Sequence, residues 1–283
     1  MAERNWDDTD IQDGDQIPTD EWVAHINDQK GHSGRHEAGG SDETPVENLG
    51  TSGAADTVPV SQGDGSLAMT PFVAGFENAD VFESDGTFDA SSVELAFVEV
   101  VGGGGGGAGV GGESAKTYIA GSGAGGGYAA SYVDLSGESS VSVTVGNGGP
   151  GGAEGNNDGS NGQQSSFGTL VTGSGGDGGD AATSPGVVAD GGGGSGDIVI
   201  AGGSAGYGVA IENTQIGSSQ IQPGSSQLGG AVETITAADS PGTASQGRDG
   251  KEYGGGATGA IADGITVDLT GGTGGDGVVI VHY

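Results

Sequence analysis

The chain has 283 residues, of which 67 are glycine and 8 are proline, and it contains no cysteine. Acidic residues outnumber basic residues 39 to 6, which gives a formal net charge of −33. These counts exclude a nucleic-acid-binding protein, which needs a basic face, and they exclude disulfide scaffolds, thiolate metal sites and cysteine catalysis. Because no apolar run is long enough to span a bilayer, we expect no insertion into a membrane.

The acidic residues are spread along the whole chain instead of forming one block. A block would suggest a tail for a basic partner, whereas an even spread affects the solvation of the whole protein. Repulsion of this size destabilises a compact fold unless salt screens it, so the composition predicts a protein from a hypersaline environment. The alternative is an acidic chain that is partly disordered.

The first thirty residues contain a turn signal and a helix start at Thr19, with few apolar side chains. These side chains cannot form a core alone, so the segment must dock on a larger partner or on copies of itself. No signal-peptide pattern is present in residues 1–20, so we expect no secretion by that route. We predict that residues 1–30 form a helical or extended attachment segment, with contacts from Trp6, Ile11, Ile17, Trp22, Val23 and Ile26.

Residues 31–75 contain two histidines, His32 and His36, followed by a stretch rich in Gly, Ser and Thr. The flanking glycines argue against a helix, and two ligands from one chain are too few for a metal. In a threefold assembly they would become six, which suits an octahedral transition metal on the axis. The alternative is a pair of exposed or turn-capping histidines. We predict this element and a flexible linker here, with no cofactor required.

Glycine becomes abundant abruptly after Val101, because residues 1–100 hold 11 glycines and the remaining 56 follow. Short apolar runs alternate with the glycine blocks, and a disordered tract would lack this rhythm. One run is apolar on both faces, which predicts burial on both sides, and another alternates so that Val141, Val143 and Val145 share a face. The predicted strands are 92–101, 128–135, 140–146, 167–171, 197–201, 232–237, 265–269 and 278–283.

The glycine blocks do not keep the three-residue register of collagen. They are either loops or polyproline-II-like segments, which can pack closely because they carry no side chains. We favour close packing for at least part of residues 76–283. The predicted fold class is therefore mainly β, with a glycine-rich β domain that contains polyproline-II-like segments.

Catalytic and cofactor motifs are weak. Matches to the dinucleotide pattern G-x-G-x-x-G are expected by chance at this glycine content. Residues 271–278 fit a calcium nonapeptide, but calcium binding between turns needs tandem copies, and the nearest relative is far away. Only four histidines are present, and no set of nucleophile, base and orienting group can be proposed. We expect no enzymatic activity.

Three segments in order resemble tailed-virus fibre proteins. Residues 5–22 resemble the N-terminal segment by which many fibres bind the virion, and residues 31–43 are similar to a His, Arg, Gly-Gly, Asp element of phage and haloarchaeal virus fibres. Parts of the remainder resemble the glycine-rich domain of tail fibres and tip adhesins, namely 87–109, 139–152, 165–179 and 274–283. Residues 205–250 match weakly. The resemblance implies a homotrimer, with its N-terminus on tail or baseplate proteins and its C-terminal domain facing the host.

Several functions remain open: a fibre that binds a host surface layer or glycan, a structural virion appendage, a cellular halophilic adhesin, and a cell-wall depolymerase. If the chain binds a receptor, large side chains beside glycine blocks are the candidates, because tyrosine gives contact area at low entropic cost. Tyr128 and Tyr132 are expected in the core. The predicted receptor-binding residues are Tyr118, Tyr207 and Tyr253, with the scarce cations Lys116, Arg248 and Lys251.

Overall fold

A computed structural model describes residues 57–61, 67–71, 76–182, 186–212, 219–237 and 242–283. The chain divides into two compact units, Met1–Ala74 and Gly75–Tyr283. The described part of the first unit is one antiparallel hairpin, in which Thr57 pairs with Pro71. The predicted attachment segment, with the apolar residues from Trp6 to Ile26, and the histidines His32 and His36 lie outside the described residues.

Every regular secondary-structure element in the described residues is a β-strand, which agrees with the predicted mainly-β class. In chain order they are β1 Thr57–Ser61, β2 Leu67–Pro71, β3 Ala79–Phe82, β4 Gly86–Asp89, β5 Leu95–Val101, β6 Val110–Gly111, β7 Lys116–Ile119, β8 Tyr128–Asp134, β9 Ser140–Thr144, β10 Ser165–Phe167, β11 Val171–Gly173, β12 Gly194–Ser195, β13 Ile198–Ile200, β14 Val209–Glu212, β15 Ser219–Ile221, β16 Ile235–Ala237, β17 Ala244–Ser245, β18 Ile261–Asp263, β19 Asp268–Leu269 and β20 Val278–His282.

Two five-stranded antiparallel sheets form a sandwich at one end of the second unit. Sheet I has the order β13-β8-β5-β20-β3, and sheet II has the order β12-β11-β10-β9-β4. Their facing sides enclose an apolar core in which Phe88 and Phe167 lie with ring centroids 5.8 Å apart. The predicted alternation in β9 is confirmed, because Val141, Val143 and Val145 are all buried in this core.

Two predictions about strands were wrong in part. The run 92–101 was expected to be buried on both faces. Within β5 the even-numbered residues face the core, whereas on the other side Val101 is buried but Leu95 is 48% exposed. Among the described residues, Tyr253 and Phe76 pack on parts of that outer face and leave Leu95 open. The run 167–171 was expected to be one strand, yet it spans the turn between β10 and β11, where Gly168 adopts a φ of +55°.

Beyond the sandwich, glycine-rich segments pack side by side in what we call the glycine bundle. Its central segment, 102–109, donates backbone N–H groups to three antiparallel neighbours in rotation. Gly102 and Gly105 donate to the 121–127 segment, at 3.0 and 2.8 Å. The residue that follows each of these two donates to segment 157–163, and the residue after that donates to segment 271–277. A partner that recurs every third residue reflects the three residues per turn of a polyproline-II helix.

The carbonyl groups of the central segment are bonded with the same period. They accept N–H groups from three parallel neighbours, 146–152, 174–180 and 254–260. Six segments therefore surround segment 102–109. All of its N–H groups, and its carbonyl groups from Gly103 to Ala108, are paired without any sheet. Pairing of this kind meets the requirement that buried N–H and C=O groups find partners.

Glycine is required in this bundle because neighbouring backbones touch. A Cβ added to Gly105 would lie 1.9 Å from the carbonyl oxygen of Asp177, and one on Gly107 would lie 2.0 Å from that of Thr258. Real Cβ atoms essentially never come within 3.0 Å of such an atom. The glycine blocks are thus closely packed, as we favoured from the sequence.

The far end of the bundle carries a second group of strands, which we call the tip. Segment 102–109 joins β5 of the sandwich to β6 of the tip, 120–127 joins β7 to β8, and 271–277 joins β19 to β20. At about 3.1 Å per residue, these segments separate the two ends by roughly 25 Å. In the tip, one sheet has the order β14-β7-β18-β17, and β15–β16 and β6–β19 form smaller pairs.

Candidate binding surface

The central strand of the tip sheet is β7, which pairs with β14 on one side and β18 on the other. Its Thr117 is fully buried, and the hydroxyl donates to Oδ1 of Asp263 at 2.5 Å. Asp263 is only 2% exposed, so this bond satisfies a carboxylate that is removed from water. The arrangement fixes the register between β7 and β18, which positions the loops of the tip.

Lys116 begins β7 and is held between two carboxylates. Its Nζ lies 3.0 Å from Oε2 of Glu113 and 3.2 Å from Oε1 of Glu212. The pKa of Lys116 is raised above its ordinary value, mainly by the hydrogen bond to Glu113 and next by the hydrogen bond to Glu212. Lys116 in turn lowers the pKa of Glu113. This cation is therefore already paired, and the three side chains together present a net negative charge.

Tyr118 faces the interior of the tip. It is 6% exposed and packs with Val110, Ala120 and Leu269. Burial is the main cause that raises the pKa of Tyr118, and its hydrogen bond with Glu113 raises the pKa further. Its ring supports the tip sheet and offers little surface to a partner.

Tyr207 lies just before β14 and is 56% exposed. Ala205 forms an antiparallel bridge with Ala189, and a Cβ on Gly186 would lie 2.4 Å from the carbonyl oxygen of Gly208. This register sets Val187 opposite Tyr207.

Val187 and its neighbour in sequence, Val188, are both exposed valines. Val187 is 66% exposed and Val188 is 46% exposed. We call Val187, Val188 and Tyr207 the apolar tip patch. It lies toward the tip, because Gly208 approaches the backbone of Gly121, where segment 120–127 begins. The valines were not predicted from the sequence, although two adjacent β-branched residues between glycine-rich loops are a weak signal.

A model of the glycine-rich domain family matches residues 83–283, which is most of the chain. The chain belongs to the glycine-rich domain family. No curated protein matches it in sequence. The matched region contains the sandwich except β3, the whole glycine bundle and the tip.

The remaining predicted residues of the glycine-rich domain lie away from the apolar tip patch. The guanidinium of Arg248 lies 3.0 Å from Glu233 on the side of the bundle. The segment continues to the exposed Lys251, whose carbonyl accepts an N–H from Gly255. These two cations therefore flank the bundle.

Tyr253 belongs to the sandwich end of the glycine-rich domain. It packs on a cluster that includes Val101 and Tyr128, and its hydroxyl donates to Glu83. That hydrogen bond is the main reason why the pKa of Tyr253 is raised. The six predicted receptor-binding residues thus do not form one site, and only Lys116, Tyr118 and Tyr207 lie toward the tip.

In the part of the chain that the structure describes, no three His, Asp or Glu side chains come together in a group that could hold a metal ion. The described residues also contain no helix that is long and apolar enough to cross a membrane.

Proposed function

We propose that the chain is a virion fibre protein that attaches a virus of a halophilic host to the cell surface. In this proposal, the N-terminal segment binds tail or baseplate proteins, three copies assemble, and the tip meets a surface-layer protein or glycan. The resemblance of residues 5–22 and 31–43 to virus fibres supports the virion role. The charge of −33 supports a high-salt environment.

The observation that carries the proposal is the separation of the two ends of the domain. The chain enters beside β3, where the N–H groups of Glu77 and Asn78 both donate to the carbonyl of Tyr283. This entry point is at the sandwich. The tip lies at the other end of a bundle whose segments are bonded to one another along their length. Such a rod is suited to presenting loops at a fixed distance from an anchor.

The apolar tip patch is the part of this rod that best suits receptor contact. Its three side chains are exposed and lie beside glycine-rich loops, so a partner can approach them closely. Aromatic anchors often dominate the binding free energy of protein interfaces. We therefore assign the main receptor contact to Tyr207, with Val187 and Val188 beside it.

The test is binding of the labelled full chain to purified host surface layer in molar salt. We expect saturable binding, and we expect the double variant Val187→Ser/Tyr207→Ala to bind at least tenfold more weakly. Leu170→Ser is the matched control, because Leu170 is 48% exposed but lies in the β10–β11 turn of the sandwich. No binding by the wild-type chain would favour a purely structural virion appendage. Equal binding by both variants would remove the patch from the receptor site.

A further inference from the structure

The outer face of sheet I is largely apolar, and among the described residues Phe76 and Tyr253 pack on only part of it. Residues Val98, Val100, Val279 and Val281 point inward and are fully buried. The residues that alternate with them along each strand point outward. The pairing of β3, β20, β5, β8 and β13 places these outward residues side by side across the sheet. The exposed apolar residues of this outer face are Val81 at 54%, Leu95 at 48%, Tyr132 at 63%, Ile198 at 50% and Ile200 at 40%.

The middle of the outer face is aromatic. The ring centroid of Phe97 lies 5.0 Å from that of Tyr132 and 6.0 Å from that of His282. Phe76 stacks over the same group, at 6.5 Å from Phe97 and 6.2 Å from Tyr132. Large rings held together in this way are typical of the centre of a protein interface.

The outer face carries little free charge. The outward strand residues include only three ionisable groups other than tyrosine, namely Glu99, Asp134 and His282. Glu99 is bonded on both oxygens, because the Tyr128 hydroxyl donates to Oε1 at 2.8 Å and Nε2 of His282 lies 2.9 Å from Oε2. Asp134 lies at the end of β8. In a chain with a charge of −33, this face is unusually poor in free carboxylates.

We infer that the outer face of sheet I is the surface through which copies of this chain associate. Two chains of charge −33 repel each other, so they can meet closely only where carboxylates are scarce or paired. A second copy brings the same acid-poor face. The face offers no unpaired cation or row of charges that would select a different partner.

The exposed area is of the size that a stable association requires. Five apolar side chains, each exposing about half of its surface, present roughly 90 Å² each and about 450 Å² together. A standard interface buries about 800 Å² per partner, of which a little over half is apolar. Three such faces around a threefold axis would form a continuous apolar core. The inference does not depend on host attachment, because a purely structural assembly would use the same face.

The absence of native cysteine allows a direct test with single introduced thiols. Tyr132→Cys places one on the outer face, and Tyr207→Cys is the matched control at an exposed tyrosine of the tip, 56% accessible. In the assembled full chain in molar salt, we expect maleimide to label position 132 at least tenfold more slowly than position 207. Equal labelling rates in an oligomer, or protection of position 207 alone, would overturn the inference.

Light scattering provides a second measurement that does not depend on labelling. The wild-type chain should have a mass that is a multiple of 27.0 kDa, and Leu95→Asp should reduce it to 27.0 kDa while the thermal unfolding transition persists. Leu170→Asp, in the β10–β11 turn, should leave the assembly intact. A wild-type monomer would overturn the inference, as would a face that binds a soluble glycan while the chain remains monomeric.

Discussion

Replacing Gly105 by alanine should destabilise the protein more than a single methyl group normally does. The new Cβ would lie 1.9 Å from the carbonyl oxygen of Asp177. That oxygen belongs to the backbone of a neighbouring bundle segment, so no side chain can rotate away. The segments must separate by about 1 Å before the contact becomes tolerable.

The expected cost follows from the contacts of Gly105. Its N–H donates to Ala124 at 2.8 Å, and its carbonyl accepts from Ala257 at 3.0 Å. Weakening two hydrogen bonds costs about 1 kcal/mol each, and overpacking a closely packed core costs about 1–3 kcal/mol. We therefore expect a loss of about 4 kcal/mol in the free energy of unfolding. For a unit of this size, that loss lowers Tm by roughly 8–16 °C.

The assay is thermal unfolding by circular dichroism in molar salt, with Gly193→Ala as the control. Gly193 belongs to the same glycine-rich sequence, but a Cβ there meets nothing within 4 Å. Its Tm should change by no more than about 3 °C, since alanine also reduces the entropy of the unfolded chain. If both variants melted at the same temperature, the close packing of the bundle would be refuted.

Three other predictions concern charge and buried polar groups. The Tm should rise with added KCl between about 0.1 and 1 M, because the screening length falls from about 10 to about 3 Å, and a flat response would contradict the halophilic interpretation. Burial, and then the bond to Glu99, raises the pKa of Tyr128 from 10.0 to about 12. The stability that this shift contributes is present below pH 10 and is lost as the pH rises to about 12, so Tyr128→Phe should show a smaller fall in Tm over that range. Thr117→Val should lower the free energy of unfolding by about 1–3 kcal/mol in urea titrations, because it leaves the Asp263 carboxylate buried without its hydroxyl donor.

Each of these measurements has an outcome that contradicts its basis. An identical decline in Tm above pH 10 for wild type and Tyr128→Phe would remove the interaction between Tyr128 and Glu99 from the account. A Thr117→Val variant as stable as wild type would show that the buried bond to Asp263 contributes little.

The strands with a clear two-residue pattern were predictable from sequence. Alternation in β9 placed three valines on one face, and the fold has them there. The strand β7 was missed because it has only four residues, follows glycine-rich chain and alternates weakly. Propensity alone does not reveal such a strand, since its partners β14 and β18 are distant in sequence.

The bundle shows a different limit of sequence reasoning. Composition indicated close backbone packing, but glycine has no side chain whose pattern could reveal which segments are neighbours. The partners of segment 102–109 are specified by where the flanking strands β5 and β6 are anchored. The apolar tip patch was missed for a similar reason, because only the pairing of Ala189 with Ala205 sets Val187 opposite Tyr207.

The central claim is that the glycine segments form an ordered rod that holds the tip away from the sandwich. Amide hydrogen exchange of the full chain, followed by mass spectrometry in molar salt, tests it directly. Peptides that cover residues 102–109 should exchange as slowly as peptides from β5, because every N–H in the segment donates to a neighbouring backbone. Exchange of these glycine amides at the rate of an unstructured peptide would contradict the claim.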